Sequence, residues 1–303
     1  MQLDPRQTQA FRVVIECGSF EQAAARLHLT SPAISQRVRA LESTLGTPLV
    51  VRSRPCRPTE QGQRLLQYLR RAQLLEADLL ADLAEQSDAP LVVVAALNAD
   101  SLGTWFFPAL AEVLIRERVL LDLTVEDQDH TYSLLESGLA IGCISTEPKP
   151  MRGCTAEALG IMRYRLVASD EFRQRYFPQG LTRASARRAP VVAYTRKDRL
   201  QAAFLLERFG LTPGAYLTHY VPGAEPHLQA IRYGLGYGMV PELLVSELLA
   251  GGGLIDLAPD APRDVALYWH TWKVQSPRME HLSRQIVNAA PRLLMPAAGS
   301  TDS

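Results

Sequence analysis

Residues 19–45 constrain the fold of this chain most, because they have the pattern of two short helices joined by a tight turn. Ser19 begins the first helix with the spacing of a capping box. Thr30 or Ser31 can cap the second helix, which has Pro32 in its first turn. The sequence therefore predicts a helix-turn-helix unit near the N-terminus.

The second helix of this unit has one apolar and one polar face. Its apolar residues recur at steps of three and four and predict a buried stripe of Ile34, Val38, Leu41 and Leu45. The opposite face holds Pro32, Gln36, Arg39 and Ser43. Glutamine can pair with adenine and arginine with guanine, so we predict that this helix reads bases in the DNA major groove. A solvated amphipathic helix of another small bundle is the alternative.

Charge is unevenly distributed along a chain of 303 residues whose formal net charge is zero. Residues 26–57 contain six arginines and one acid, a local net charge of +5, whereas residues 63–90 have a local net charge of −2. A basic segment on a neutral chain is typical of a nucleic-acid-binding module attached to another domain. The length suffices for two or three domains.

A wing is predicted for residues 49–62, with two short extended arms and a basic tip that contains proline. Arginines at this tip would lie near phosphates or a minor groove, where their charge adds affinity but little sequence information. An ordinary surface loop is the alternative. The residues predicted to contact double-stranded DNA are Thr30, Ser31, Pro32, Ala33, Ser35, Gln36, Arg37, Arg39, Arg52, Arg54 and Arg57.

A long helix is predicted from Gln61 to Gln86, a segment with no glycine or proline after Gly62. Its apolar residues recur at mixed steps of three and four, which predicts a coiled-coil seam of about three heptads. The seam residues are Leu65, Tyr68 or Leu69, Ala72, Leu75, Leu79 and Leu83. We predict that the helix pairs two subunits, and packing on its own domain is the alternative.

Apolar strands alternate with helices from residue 90 onward, beginning with Leu91–Ala96, and the alternation restarts near Tyr164. This pattern predicts two lobes with a cleft between them and a largely parallel sheet. The predicted fold class is α/β: an N-terminal winged helix-turn-helix, a long linker helix and a two-lobed effector domain like that of periplasmic binding proteins. The predicted domains are 1–62 (DNA-binding), 63–89 (linker and dimerisation) and 90–303 (effector-binding), with lobe I at about 90–162 and 268–295 and lobe II at about 163–267.

Several functional classes lack support in the sequence. The four cysteines have no metal-ligand spacing. No apolar run reaches the roughly 18 residues of a membrane span, and no signal peptide is recognisable, so we expect a cytoplasmic protein without a membrane partner. The glycines of 234–238 precede a strand and do not fit a dinucleotide loop. No motif frames a nucleophile, and we expect no enzyme activity, no cofactor and no metal site.

The first 62 residues resemble the LysR-type transcriptional regulators in the order, spacing and position of their motifs. The matching residues are Phe11, Gly18, Ser19, Phe20, Ala23, Ala24, Leu27, Thr30, Pro32, Ala33, Ile34, Ser35, Leu41, Glu42, Leu45, Gly46, Leu49, Arg52, Thr59 and Gly62. The long helix and the two-lobed half extend the resemblance over essentially the whole chain. It implies a homodimer or homotetramer that binds a pseudo-palindromic operator, senses a small-molecule effector and has RNA polymerase as a further partner.

Further motifs resemble the ArgP/LysG branch of this family, which senses basic amino acids and controls a basic amino acid exporter. They are Asn98–Trp105, Glu126–Thr131, Thr195–Asp198, His219–Pro222, Pro241–Glu242, Tyr268–Trp269 and Trp272 before Ser276. Two departures are Val50-Val51, where Phe-Glu is common, and Gly223, where Ser is expected. The resemblance implies that the effector is lysine or arginine.

A free basic amino acid needs partners for its carboxylate, its amine and its cationic side chain. The turn 99–103 leads from a strand into a helix, so its N–H groups and the Ser101 hydroxyl suit a carboxylate. Asp100, Asp127, Asp129 and Asp198 are candidate anions, and His130 and His219 are candidate contacts or structural histidines. The predicted ligand-binding residues are Asn98, Asp100, Ser101, Leu102, Asp127, Gln128, Thr146, Arg196, Asp198, His219 and Pro222.

Other functions stay open at this point. They are a LysR-type regulator with a different effector or none, a nucleoid or replication-origin DNA-binding protein, and a cleft-forming enzyme or transport binding protein. Acids at positions 100 and 127 favour a cationic effector, because an anionic one would prefer basic residues there. The sequence does not choose between lysine and arginine, activation and repression, or dimer and tetramer.

Overall fold

The computed structural model describes residues 3–83, 90–126 and 131–296. Its N-terminal part consists of three helices and a short antiparallel hairpin. They are α1 (Pro5–Cys17), α2 (Phe20–Arg26), α3 (Ser31–Leu45), β1 (Val50–Val51) and β2 (Arg57–Pro58). This arrangement confirms the predicted helix-turn-helix with a wing.

The helices form where the sequence places their caps and apolar stripes. The side-chain oxygen of Ser19 accepts hydrogen bonds from the backbone of α2, and that of Thr30 accepts one from Ala33 N at 3.4 Å. Thr30 rather than Ser31 is therefore the cap of α3. The core between the helices is fully buried and includes Phe11, Val14, Ile34, Val38 and Leu41.

A long linker helix, α4 (Glu60–Leu83), follows the wing, and the predicted end at Gln86 lies outside the described residues. Its start must come close to the wing, since a Cβ added at Gly62 would lie 2.2 Å from the carbonyl oxygen of Leu49. Leu66 is fully buried against the N-terminal core. The helix therefore belongs in part to the DNA-binding unit.

Strands and helices alternate through the rest of the chain. The strands are β3 (Leu91–Leu97), β4 (Val119–Val125), β5 (Gly142–Ser145), β6 (Cys154–Ala168), β7 (Val191–Ala193), β8 (Thr218–Tyr220), β9 (Gly238–Pro241), β10 (Ile255–Asp256) and β11 (Arg263–Trp272). The helices are α5 (Ala99–Ser101), α6 (Phe107–Arg116), α7 (Thr131–Glu136), α8 (Asp170–Tyr176), α9 (Arg183–Arg188), α10 (Leu200–Phe209), α11 (Ala224–Arg232), α12 (Glu242–Ala250) and α13 (Pro277–Ala289). The predicted two-lobed α/β architecture is confirmed.

The expectation of a largely parallel sheet is wrong. One sheet has the order β10-β6-β11-β5-β3-β4, with β9 also paired to β6, and a second sheet pairs β7 with β8. Strand β3 is parallel to β4 and β5, whereas β6 is antiparallel to β9, β10 and β11. The long strands β6 and β11 run side by side through both lobes, and the predicted lobe boundaries at 162/163 and 267/268 fall inside them. Strands β6 and β11 each pass once between the lobes and run in opposite directions, so they pair as antiparallel neighbours.

No helix among the described residues is both long enough and apolar enough to cross a membrane.

Candidate functional site

A cleft of about 390 Å³ lies between the two lobes. One wall is formed by the turn after β3 and the end of β4, and the other by the loop after β7 and the start of α11. Of the predicted ligand-binding residues, the structure brings together Asn98, Asp100, Arg196, Asp198 and Pro222 as lining residues.

Four other predicted residues do not line this cleft. Ser101 is fully buried within the first helical turn, and Leu102 packs partly buried against the core. Thr146 follows β5 and is partly buried, and His219 is exposed on β8. Of these four, Ser101 directly follows a lining residue, Asp100. The predicted residues Asp127 and Gln128, with Asp129 and His130, lie outside the described part of the chain.

The turn after β3 is held by Asn98, whose side-chain oxygen accepts a hydrogen bond from Ser101 N at 3.2 Å. After α5 the backbone continues as a π-helical turn, Leu102–Phe106, before α6 begins. Such π turns are frequent at functional sites. A Cβ added at Gly103 would lie 2.9 Å from the Cβ of Ala224 in α11, so a glycine here lets the two lobes come into contact.

Asp100 is the most enclosed acid of the cleft, with 7% of its surface exposed. Its Oδ2 accepts a hydrogen bond from the Tyr164 hydroxyl at 2.8 Å, and its Oδ1 accepts one from the Tyr194 hydroxyl. Burial, reinforced by the charge of Asp100, raises the pKa of both phenols, so they stay protonated donors. A carboxylate from lobe I is thus held by a tyrosine of the crossing strand β6 and a tyrosine of lobe II.

The sequence reasoning missed both tyrosines. Tyr194 directly precedes the motif Thr195–Asp198, and Tyr164 lies in a predicted strand, so neither position carries a pattern of its own. The contact becomes visible only when β3, β6 and β7 are placed in space.

Two further acids line the cleft. The carboxylate of Asp198 accepts hydrogen bonds from Tyr194 N at 3.3 Å and Leu200 N at 3.0 Å, so it orders the loop that leads into α10. Glu126 follows β4, and its Oε2 lies 3.6 Å from Lys197 Nζ of the opposite lobe. The guanidinium of Arg196 stacks on the ring of Tyr220, 4.6 Å from its centroid. Among the described lining residues, three are acids, and the two cations, Arg196 and Lys197, lie on one loop.

A histidine supports the lobe II wall, but it is His227 and not the predicted His219. The Nε2 of His227 lies 3.1 Å from the carbonyl oxygen of Val192, and its ring packs 4.4 Å from the ring of Tyr194. Burial lowers the pKa of His227 to about 4, although the hydrogen bond to the carbonyl raises it. The ring is therefore neutral near pH 7 and acts by packing against Tyr194.

Gly223, the departure from the expected serine, also lines the cleft. Its φ of 94° lies in the left-handed region that favours glycine. A serine at position 223 would therefore adopt this backbone conformation only with strain.

The polar face predicted to read DNA is exposed on α3. Pro32, Gln36, Arg39 and Ser43 are exposed, opposite the buried stripe. In the wing Arg52, Arg54 and Arg57 are exposed, and the guanidinium of Arg52 lies 4.9 Å from the ring centroid of Phe20. Among the other predicted residues Thr30 is exposed, while Ser31, Ala33, Ser35 and Arg37 are partly buried.

Glu42 ties this helix to the wing. Its Oε1 accepts hydrogen bonds from Leu49 N at 2.8 Å and Val50 N at 3.3 Å, where β1 begins. These hydrogen bonds join α3, which carries the exposed Arg39, to the first strand of the wing.

Two family models match the chain. Residues 5–63 match the bacterial regulatory helix-turn-helix protein, lysR family, and residues 89–291 match the LysR substrate binding domain. Together these matches cover most of the sequence.

Curated relatives match over nearly their full length. The HTH-type transcriptional regulator ArgP of Klebsiella pneumoniae (strain 342) is 41% identical over 291 residues, which are 96% of this chain and 98% of that protein. ArgP of Aeromonas salmonicida is 39% identical over 295 residues, which are 97% of this chain and 99% of that protein.

Solved structures of similar proteins also match over nearly the whole chain. ArgP from Mycobacterium tuberculosis aligns with a TM-score of 0.82 at 42% identity, covering 98% of this chain and 100% of that one. Full-length LysG from Corynebacterium glutamicum, with bound effector Arg, aligns with a TM-score of 0.76 at 36% identity, covering 97% of this chain and 100% of that one.

Proposed function

Because this chain belongs to the LysR family of bacterial transcriptional regulators, and within it is ArgP- and LysG-like, we propose that it senses lysine or arginine and controls a basic amino acid exporter gene. Its relatives are named as transcriptional regulators, which confirms the expectation that it is not an enzyme. We further propose that it acts in the cytoplasm, as a homodimer or homotetramer, with RNA polymerase as a partner.

The observation that carries the effector proposal is the set of acids in the interlobe cleft. Asp100, Glu126 and Asp198 all line it, and Asp100 is nearly enclosed. A basic amino acid brings an α-ammonium and a cationic side chain, which carboxylates bind favourably. The Arg effector in the LysG structure fits a cleft of this chemistry. The carboxylate of the ligand then meets Arg196 or backbone N–H groups of the turn after β3.

Ligand binding can change DNA binding only through different affinities for two conformations of the protein. The cleft lies between two lobes that are connected by β6 and β11. A ligand that contacts both walls of the cleft therefore favours the arrangement in which the lobes are closed on it. In the proposed mechanism, closure resets the angle between paired DNA-binding units.

Pairing of subunits is proposed to use the linker helix. Tyr68, Leu75, Leu79 and Leu83 are exposed along α4 at successive steps of seven, four and four residues, and so lie near one side of the helix. The predicted seam residue Leu65 instead packs partly buried against the N-terminal core. The proposed seam therefore begins at Tyr68.

A thermal-shift panel tests the effector proposal. The purified protein is heated with each of the twenty amino acids and with several aromatic acids. A ligand that binds only the native state, at 100 times its dissociation constant, adds about 2.7 kcal/mol of stability. We expect a rise in Tm with lysine or arginine. A rise with an anionic aromatic acid alone would contradict the proposal.

The DNA-reading proposal is tested by a pair of arginine variants. Arg39→Ala is expected to weaken binding to the specific operator by about 1–3 kcal/mol and to relax base preference, because Arg39 lies on the exposed face of α3. Arg54→Ala, in the wing, is expected to weaken binding to all sequences and to reduce the salt dependence.

Fluorescence anisotropy with operator and scrambled duplexes at several salt concentrations measures both effects. An equal loss on all sequences for Arg39→Ala would show that Arg39 contacts phosphate instead of bases. If the salt dependence of binding were unchanged in Arg54→Ala, the wing tip would not contact DNA phosphates.

A further inference from the structure

We propose that Lys197 is a tethered competitor of the effector: its ammonium pairs with Glu126 in the free protein and is displaced by the cationic side chain of the ligand. This inference rests on the proposed function and adds a determinant of affinity to it. It starts from the ion pair that spans the mouth of the cleft, with Lys197 Nζ 3.6 Å from Glu126 Oε2.

The three acids of the cleft are held in different ways. The carboxylate of Asp100 is occupied by two tyrosine hydroxyls, and that of Asp198 by two backbone N–H groups. These donors are neutral groups, whereas Glu126 is held by a cation. Within the described residues, Lys197 is the cation paired with Glu126. A ligand cation at Glu126 therefore has to replace a cation of the protein.

A backbone hydrogen bond holds each residue of this ion pair in place. Glu126 N donates to the carbonyl oxygen of Leu97 at 3.1 Å, which fixes the residue at the end of β4. Lys197 N donates to Thr195 Oγ1 at 3.1 Å, in the loop ordered by Asp198. The neighbouring Arg196 stacks on Tyr220 instead of entering the pair. The loop therefore presents one lysine ammonium to the acid.

The pair is weak enough to be displaced. The side chains of Lys197 and Glu126 are 56% and 38% exposed, so water screens their attraction. Exposed ion pairs of this kind change an equilibrium by at most about fivefold. A lysine or arginine ligand held in the cleft by further contacts can therefore replace Lys197 at Glu126. The resident lysine lowers the affinity for every cationic ligand by the same modest factor, because it stabilises the free protein.

Isothermal titration calorimetry of lysine and arginine into the full-length protein tests this competition. The charge-removing variant is Lys197→Gln, and the matched control is Lys197→Arg, which keeps the cation. We expect Lys197→Gln to bind both ligands about two- to fivefold more tightly. Lys197→Arg is expected to show no gain.

A double-mutant cycle assigns the effect to the pair. Glu126→Gln should weaken binding, and Lys197→Gln should bring no gain in the Glu126→Gln background, since no acid is left to compete for. Unchanged or weaker binding by Lys197→Gln would overturn the inference, and weaker binding would mean that Lys197 contacts the ligand carboxylate. A wild-type protein that binds neither amino acid would overturn the proposed function as well, which separates the two failures.

Discussion

Replacement of Asp100 by asparagine is expected to reduce the affinity for lysine or arginine at least about 30-fold, the equivalent of about 2 kcal/mol. Asp100 is the most enclosed acid of the cleft, and its carboxylate accepts hydrogen bonds from the hydroxyls of Tyr164 and Tyr194. A ligand cation would be largely desolvated beside it, and losing one partner of such a pair leaves the other charge unmatched.

The same substitution is expected to destabilise the fold. An asparagine oxygen can accept one tyrosine hydroxyl, but its NH₂ group faces the other hydroxyl with a donor. One buried phenol is then left without an acceptor, which costs about 1–3 kcal/mol. Urea denaturation measures this loss, and calorimetry measures the loss of affinity.

Tyr194→Phe is the matched control. It removes one hydroxyl donor but retains the Asp100 charge and the ring that packs on His227. We expect it to keep most of the ligand affinity. If Asp100→Asn lost stability but bound lysine and arginine as the wild type does, Asp100 would be a structural residue and the cation site would lie elsewhere.

Glu16→Gln is expected to lower the free energy of unfolding by about 2–3 kcal/mol, a larger effect than any surface pair would give. Glu16 in α1 lies 3.2 Å from Arg26, 3.4 Å from Arg70 of the linker helix and 3.6 Å from Arg12. The side chains of Glu16 and Arg70 are 16% and 11% exposed. Burial lowers the pKa of the Arg70 guanidinium, and the charge of Glu16 partly offsets this.

Without the Glu16 charge, Arg70 would stay buried beside Arg12 with no acid at this position. Glutamine can still accept a hydrogen bond, which is why the expected loss is below the 3–5 kcal/mol typical of a broken buried pair. Because the cluster joins α1 to α4, the variant should also loosen the link between the DNA-binding unit and its helix.

Glu60→Gln provides the matched control. Its pair with Arg64 is shorter, at 2.7 Å, but the two side chains are 69% and 74% exposed. We expect a change within about 0.5 kcal/mol. Equal losses from Glu16→Gln and Glu60→Gln in urea denaturation would show that the enclosed cluster contributes no more than a solvated pair.

Local sequence patterns were sufficient to predict the helix-turn-helix domain. The stripe of Ile34, Val38 and Leu41 and the exposed Gln36 and Arg39 follow from a period of 3.6 residues. Helix ends follow from cap chemistry within three or four residues of sequence. These predictions hold because each depends on neighbours along the chain and on a single buried face.

The effector half was less accessible to the same reasoning. Its strands were found, but the parallel sheet was wrong, because a strand's direction depends on which distant strand lies beside it. Among the predicted binding residues, Asp100 and Asp198 line the cleft, whereas His219 does not line it. A motif marks a segment, and the pairing of strands then decides which of its side chains reach the cleft.

The sequence by itself determined the helix-turn-helix, the polar face of its second helix, the linker helix and the class of the effector domain. Only the tertiary structure decided which side chains from distant parts of the chain contact one another. Asp100 meets Tyr164 and Tyr194 across 64 and 94 residues of sequence, and Glu16 meets Arg70 across 54. Periodicity and capping act over a few residues, whereas these contacts exist only because the folded chain brings distant strands and helices together.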